Sequence, residues 1–162
     1  MRVTLIRHAE AGDDAPRDES RALTIRGRAD ARRLGRALAR RGVRFTAIIT
    51  SPLVRAVQTA EIVAAATEYR GRMQATDLLQ PEAAPGDVVT FLATLADEKS
   101  VALVAHEPIL SAVAAALTRK GRYPALRKAE ALRIRLPEGP EETAGSLRWR
   151  IDGGTGRRER LR

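Results

Sequence analysis

The sequence contains two histidines, and each follows a short apolar segment. His8 comes after residues 3–6 and Arg7, and His106 comes directly after residues 101–105. Such continuous apolar runs are typical of buried parallel strands. Because ligands of open α/β sheets bind outside the carboxyl ends of the strands, we expect both imidazoles at one edge of the sheet, in a shared site. Neutral imidazole is a competent nucleophile near neutral pH.

Two arginines are placed to bind a phosphoryl group at the same edge. Arg7 precedes His8, and Arg55 falls in the first turn of a helix predicted to begin with Ser51 as its N-cap and Pro52 in its first turn. A helix N-terminus presents free N–H groups and the positive end of a dipole. Guanidinium groups match the geometry of phosphate. This corner is therefore a predicted anion site.

The elements that must position these residues alternate between strand and helix. Strands are expected at residues 3–6, 45–50, 73–79 and 101–105, and helices at 24–41, 51–67, 86–97 and 108–118. Residues 131–136 and 146–151 alternate apolar and polar side chains and predict an antiparallel hairpin at a sheet edge. This order indicates an α/β fold with a mainly parallel central sheet and an antiparallel edge.

Length and composition predict one domain. With 162 residues, 44% of them hydrophobic, the chain can bury a core of its own, which we assign to residues 1–151. Residues 152–162 combine a glycine-rich stretch with a basic end, and we expect a disordered tail there. No apolar run is long enough for a bilayer span, and the N-terminus does not resemble a secretory signal, so we expect a cytoplasmic protein without a membrane partner.

The charge is strongly basic but dispersed. The formal net charge is +9, and 26 of the 29 basic residues are arginine. This excess either indicates an anionic partner or reflects a compositional habit, because the arginines do not form one block. Residues 12–20, by contrast, are locally acidic, which suggests a rim or lid beside a basic site. The absence of cysteine excludes disulfides and thiolate sites, and two histidines without metal-ligand spacing predict no metal site.

Four motifs in order carry a resemblance to a known family. The chain resembles the histidine phosphatase superfamily and, within it, the SixA-type phosphohistidine phosphatases. The resemblance covers roughly residues 1–151. The motifs are Arg7-His8-Ala9-Glu10, Leu23-Thr24 followed by Gly27, Ser51-Pro52 followed by Arg55-Ala56 and Gln58-Thr59, and Val104-Ala105-His106.

The resemblance implies a phosphoglycerate-mutase-like, three-layer α/β/α sandwich and a phosphoryl transfer that needs no metal or other cofactor. It gives His8 the role of the nucleophile that becomes phosphorylated. Arg7, Arg55 and His106 are then expected to be catalytic residues that also bind the phosphoryl group and stabilise its equatorial oxygens. Arg21 is expected to extend this phosphate site.

The substrate depends on whether a carboxylic acid can protonate the leaving group. Larger family members carry one after the third strand, where this chain offers Glu82 and Asp87, neither of them in a clear motif. We take Glu82 as the possible acid. An imidazole leaving group protonated from solvent depends less on such an acid, which favours phosphohistidine. The expected activity is hydrolysis of phosphohistidine on a protein of the phosphotransfer or phosphorelay type, in an open site.

Three other functions remain open at this stage. The first is a phosphatase of the same superfamily that acts on a small phosphorylated metabolite, a nucleotide or polyphosphate. The second is a nucleic-acid-binding domain, which is disfavoured because five aromatic residues in mostly apolar patterns provide no stacking platform. The third is a catalytically silent interaction module on the same fold, which the joint presence of His8, Arg7, Arg55 and His106 argues against.

Overall fold

The structure is a computed structural model that describes residues 1–137 and 144–159. Seven strands and four α-helices alternate along it. None of the helices in this described part is long and apolar enough to cross a membrane. The elements are β1 (Arg2–Arg7), α1 (Ile25–Arg40), β2 (Ala47–Thr50), α2 (Val54–Ala66), β3 (Gln74–Ala75), α3 (Pro85–Thr94), β4 (Ser100–Ala105), α4 (Ile109–Thr118), β5 (Glu130–Arg135), β6 (Ser146–Asp152) and β7 (Arg157–Glu159).

The strands form one sheet in the order β3-β2-β4-β1-β5-β6-β7. β4 pairs in parallel with β1 and with β2, and β2 pairs in parallel with β3. The other three strands run antiparallel to their neighbours. The predicted α/β fold with a mainly parallel sheet and an antiparallel side is therefore confirmed. β1 lies at the junction of the two halves, and its carboxyl end carries Arg7 and His8.

Helices cover both faces of the sheet, which gives the predicted three layers. Leu34 and Leu38 of α1 pack with Val63 of α2 on the face that contains Ile6 and Val104. On the other face, α3 and α4 bury apolar side chains against β1 and β4. β4 is buried along its whole length, which explains its continuous apolar sequence.

α1 begins as the sequence predicts. The Thr24 hydroxyl accepts a hydrogen bond from the backbone N–H of Gly27 at 2.9 Å and so caps the helix. Gly27 is required for a second reason, because a Cβ at this position would lie 2.0 Å from the backbone oxygen of Glu10. The Thr24 hydroxyl also donates to the Glu10 carboxylate at 2.9 Å. The helix start is thereby fixed against the segment that follows His8.

α2 begins later than expected. Its N-cap is Leu53, which makes no side-chain cap, so the assignment of Ser51 as the N-cap is wrong. The Ser51 side chain is buried and bonds instead to His106. Arg55 nevertheless lies in the first turn of α2, as predicted.

The end of the chain also differs from expectation. Residues 152–159 are ordered: β6 extends to Asp152, and β7 pairs with it at the edge of the sheet. The prediction of a disordered tail is therefore wrong for these residues, while residues 160–162 lie outside the described part. Arg33 of α1 donates to the carbonyl oxygens of Gly153 and Gly154 at 3.1 and 2.8 Å. These bonds hold the turn between β6 and β7, for which the sequence alone indicates no packing partner.

Candidate active site

Adjacent parallel strands bring the two histidines together. Arg7 at the end of β1 is in register with Ala105 at the end of β4, and the backbone N–H of His8 donates to the Ala105 oxygen at 2.9 Å. The centroids of the His8 and His106 rings are 4.9 Å apart. The structure thus places both imidazoles at one edge of the sheet.

His8 is arranged as a neutral imidazole with its Nε2 available. Nδ1 lies 2.7 Å from the backbone oxygen of Ala9, and because a carbonyl oxygen only accepts, Nδ1 carries the proton. Burial, together with the positive charges of Arg55 and Arg7, lowers the pKa of His8 to about 4. The lone pair of Nε2 is therefore unprotonated at neutral pH.

His106 is held by Ser51, which follows β2 and lies on the side of β4 away from His8. Its Nε2 lies 2.8 Å from the Ser51 hydroxyl, and burial followed by the neighbouring His8 lowers its pKa to about 3. Within the described residues, its buried Nδ1 has no hydrogen-bond partner. The Ser51 hydroxyl accepts a long bond from the Leu53 N–H at 3.4 Å, so its own proton can go to His106 Nε2. In the tautomer in which Nε2 accepts from the Ser51 hydroxyl, Nδ1 carries the proton of His106.

Arg7 is oriented by a loop that Glu107 fixes. Its Nη1 donates to the Leu126 oxygen at 2.7 Å, while its buried Nε has no partner among the described residues. The backbone N–H of Leu126 donates to Glu107 Oε1 at 2.8 Å. The other carboxylate oxygen of Glu107 accepts from the Ser111 hydroxyl at 2.6 Å and from its N–H at 3.3 Å. Both oxygens of Glu107 are thus occupied by donors.

Arg55 and Arg21 converge on one carboxylate. The side chain of Arg55 is buried and donates to the backbone oxygen of Asp18 and to its Oδ2, both at 2.8 Å. Arg21 donates to the other oxygen, Oδ1, at 3.0 Å. These hydrogen bonds, first from Arg55 and then from Arg21, keep the pKa of the Asp18 carboxyl below its usual value. The acidic loop of residues 12–20 therefore lies against the basic site, as a rim does.

A cavity of about 250 Å³ joins these groups. It brings together every site residue predicted from the sequence except the possible acid. These five residues are His8, Arg7, Arg55, His106 and Arg21. Sequence reasoning missed the other lining residues, which are Ala11, Pro81, Glu107 and Lys128. Glu107 sits between His106 and a helix start, and Lys128 lies in a loop, so neither carried a motif signal.

The possible acid is not brought into this cavity. Glu82 is exposed and follows the lining residue Pro81, while Asp87 is exposed in the first turn of α3. Neither carboxyl belongs to the lining. Glu107 is the acidic side chain that does, and its oxygens already accept hydrogen bonds.

Thr59 and Gln58 explain the rest of the α2 motif. The Thr59 hydroxyl donates to the Arg55 oxygen at 2.7 Å and accepts from the Ala9 N–H at 3.1 Å. Gln58 Oε1 accepts from the Leu23 N–H at 2.8 Å. α2 is thereby tied to the segments on either side of the acidic loop.

In residues 1–137 and 144–159, histidine and acidic side chains form no cluster of three or more that could hold a metal ion.

Comparisons with known proteins agree with this site. The family model of the histidine phosphatase superfamily (branch 1) matches residues 3–81. An uncharacterized protein of Picosynechococcus sp. is 36% identical over 144 residues, which cover 83% of this chain and 85% of that protein. Phosphohistidine phosphatase SixA of Escherichia coli is 27% identical over 153 residues and 93% of each chain.

Solved structures share the fold. A structure of the protein histidine phosphatase SixA complexed with tungstate has a TM-score of 0.88 at 26% identity, and the alignment covers 94% of this chain and 97% of that chain. A phosphoglycerate mutase from Bacillus anthracis, at 11% identity and a TM-score of 0.72, shows the fold alone. The predicted phosphoglycerate-mutase-like fold is therefore confirmed.

The fold, the paired histidines and the arginine-lined cavity are those of a phosphatase with a phosphoglycerate-mutase-like α/β/α sandwich. The chain belongs to the histidine phosphatase superfamily. Within that superfamily it is similar to SixA in both sequence and structure.

Proposed function

We propose that this phosphatase hydrolyses phosphohistidine on another protein and that His8 is its nucleophile. The observation that carries the proposal is the state of His8: its Nδ1 is committed to the Ala9 oxygen, and its Nε2 is left unprotonated in a cavity lined by arginines. A lone pair facing bound phosphate is what a covalent phosphoryl transfer requires.

In the first step, His8 Nε2 attacks the phosphorus atom of the substrate. A P–N bond forms on His8 while the P–N bond of the substrate breaks, and the leaving imidazole keeps the electron pair and takes a proton from solvent. Arg7, Arg55 and Arg21 neutralise the equatorial oxygens. In the tautomer protonated at Nδ1, which has no partner among the described residues, His106 donates a hydrogen bond to one oxygen.

In the second step, water attacks the phosphorus atom bound to His8. A P–O bond forms, the P–N bond breaks, and the electron pair returns to Nε2. The water releases its proton to solvent, and inorganic phosphate leaves. His8 is then again neutral, as its lowered pKa requires. The two steps split one difficult displacement into two easier ones.

The lining supports phosphohistidine over a phosphate ester. An alkoxide leaving group needs a positioned acid, yet both carboxyl oxygens of Glu107, the acidic residue in the described lining, are already engaged by the Leu126 N–H and the Ser111 hydroxyl. An imidazole leaving group is more easily protonated from solvent. Its departure therefore places no demand on a residue of this cavity.

Substrate binding has to displace Asp18. The carboxylate of Asp18 occupies the Nη atoms of Arg55 and Arg21 that a phosphoryl group would use. Because 58% of the Asp18 side chain is exposed and it sits in a surface loop, a phosphoryl group on a partner protein can exchange with it. The partner we propose is a phosphotransfer or phosphorelay type protein, in the cytoplasm.

The test is phosphate release in excess chelator from a phosphohistidine-bearing protein and, in parallel, from a panel of phosphate esters. We expect release that prefers phosphohistidine and disappears in His8→Ala. Arg36→Gln, on the exposed side of α1, is the matched control and should retain full activity. After brief mixing, an acid-labile, base-stable phosphate bound to this phosphatase, as distinct from the substrate protein, would identify the intermediate. Turnover in His8→Ala would contradict the proposed nucleophile.

Lys128 favours a second candidate function. This exposed lysine lines the cavity beside His8 and could bind a second anionic group of a small metabolite, a nucleotide or polyphosphate. In that case the wild type would release phosphate from an ester or polyphosphate at least as fast as from phosphohistidine. Lys128→Gln would then raise KM for the substrate that carries this second anionic group and leave kcat nearly unchanged.

A further inference from the structure

A second basic cavity lies on the antiparallel half of the molecule. Its volume is about 340 Å³, and it is lined by five arginines and one tryptophan: Arg2, Arg133, Arg135, Arg148, Trp149 and Arg158. These residues come from β1, β5, β6 and β7. Among the described residues, no acidic side chain belongs to the lining. We call this the sheet-edge cavity.

The sheet-edge cavity is built around a buried cation. Arg133 is 6% exposed, and its Nη atoms donate to the hydroxyls of Thr4 at 2.9 Å and Ser100 at 3.0 Å. Its guanidinium also lies 5.8 Å from the ring centroid of Trp149. Three strands therefore hold this side chain in place, and these contacts are all with uncharged groups.

Within residues 1–137 and 144–159, no carboxylate balances the charge of Arg133. In the described part of the protein, no carboxylate forms an ion pair with Arg133, Arg2 or Arg158. Burial and the positive charge of Arg2 lower the pKa of Arg133 to about 10. A buried charge is costly unless a partner compensates for it. An anion in the cavity would supply that compensation to several guanidinium groups at once.

The sheet-edge cavity is separate from the active site. Arg2 and Ser100 begin β1 and β4, whereas His8 and His106 follow the ends of the same strands. His8 lies six residues beyond Arg2 along β1, so the two sites are about 20 Å apart at roughly 3.3 Å per residue. A ligand in one does not reach the other.

We propose that the sheet-edge cavity binds an oligophosphate, a ligand with two or more adjacent phosphate groups. A single phosphate would satisfy only part of a ring of guanidinium groups, whereas a chain of phosphates contacts several and matches their planar forks. The source of the phosphates is either an inorganic chain or a nucleoside triphosphate. This binding is independent of the proposed phosphohistidine activity.

The chain carries its own reporter for this site. Trp149 is the single tryptophan of the sequence and lines the cavity, so its fluorescence responds to an anion bound there and not at His8. The experiment titrates full-length His8→Ala, which removes the nucleophile, with sodium tripolyphosphate and with ATP in chelator. We expect a saturable fluorescence change that sodium chloride at equal ionic strength does not produce.

Variants of exposed arginines test the assignment without disturbing the core. Arg2→Gln and Arg158→Gln should each weaken binding about tenfold, since each removes a charged hydrogen-bond donor. Arg36→Gln is the matched control and should bind as the parent does. Equal affinities for both ligands would identify the phosphate chain as the recognised group, and tighter ATP binding would identify a nucleotide. No saturable change with either ligand, or equal affinities in Arg158→Gln and Arg36→Gln, would overturn the proposal.

Discussion

The two arginine-rich cavities of this protein differ in what surrounds their guanidinium groups. At the carboxyl ends of β1 and β4, Arg55 is held by the carbonyl and carboxylate of Asp18 beside two histidines. At the opposite end of β1, Arg133 is held by hydroxyls and a tryptophan ring, away from both histidines. The same residue type thus forms a reactive site at one edge and a binding site at the other.

The difference teaches which features make an arginine cluster catalytic. Phosphoryl transfer requires a nucleophile in line with the phosphorus atom and donors already fixed in place. In the proposed mechanism, His8 is this nucleophile, and the Leu126 oxygen that orients Arg7 fixes one of these donors. The sheet-edge cavity offers charge alone. Variants that change activity at one edge should therefore leave ligand binding at the other unchanged.

The largest expected effect follows removal of the proposed nucleophile. His8→Ala should lower kcat for phosphohistidine hydrolysis by about 10⁴-fold or more, because the covalent route is lost. The Trp149 fluorescence response to tripolyphosphate should persist in the same variant. Steady-state phosphate release and a fluorescence titration measure the two outcomes. A loss of both would mean that the two cavities are not independent.

A smaller loss is expected from Arg55→Gln. Removing one preorganised donor to the phosphoryl oxygens typically costs about 10²- to 10³-fold in kcat. Arg28→Gln, at an exposed position on α1, serves as the control for a change of charge alone. Steady-state kinetics with both variants separate the effects. An Arg55→Gln enzyme with unchanged kcat and a raised KM would show that Arg55 binds the ground state and the transition state equally.

The active-site edge should also make folding stability depend on pH. The pKa of His8 is about 4 and that of His106 about 3 in the folded chain, against 6.5 for an ordinary histidine. Between pH 6.5 and 4 the unfolded chain binds protons that the folded chain does not, so stability falls as the pH falls. The loss from His8 alone should be about 3 kcal/mol. Urea unfolding at pH 7 and pH 4.5 measures it.

The variants His8→Asn and His106→Asn provide the comparison for that pH series. Each removes one histidine that resists protonation, so each should flatten the dependence of the unfolding free energy on pH over this interval. An unchanged slope in both variants would assign the acid sensitivity to carboxylates elsewhere in the chain.

The smallest effect concerns Asp18. Asp18→Asn removes the charge that competes for Arg55 and Arg21, so inorganic phosphate should inhibit the variant about fivefold more strongly, as expected for an exposed ion pair worth up to about 1 kcal/mol. The control Asp13→Asn changes a carboxylate that contacts Arg21 but not Arg55. Inhibition constants for phosphate measure both. Weaker inhibition in Asp18→Asn would mean that Asp18 orients Arg55 instead of competing for it.

Local patterns in the sequence were sufficient for strands β1 to β6, for the four α-helices and for the order of layers. The apolar runs of β1 and β4 and the cap at Thr24 are local features, and they predicted the edge where His8 and His106 meet. What failed depends on contacts between distant positions. The Ser51 bond to His106 joins residues 55 positions apart, and the ion pair of Asp18 with Arg55 joins residues 37 apart. No periodicity encodes such pairs.

The expected disordered tail failed for a related reason. Its arginines and glycines indicate a solvated segment, but Arg33 bonds the turn at Gly153 and Gly154, and the backbone of β7 pairs with β6. A strand formed by backbone pairing leaves little trace in side-chain hydrophobicity. The sequence likewise pointed to Glu82 as the possible acid, which does not line the cavity, because the carboxylate that does, Glu107, belongs to no motif.

The outer strands of the sheet have a consequence for behaviour at high concentration. β3 is only two residues long, and β7 consists of two arginines and a glutamate. Short or charged border strands hinder the backbone pairing of one molecule with another. A chain that buries β4 so completely therefore keeps its most aggregation-prone segment in the middle of the sheet, where recruitment into fibrils requires prior unfolding.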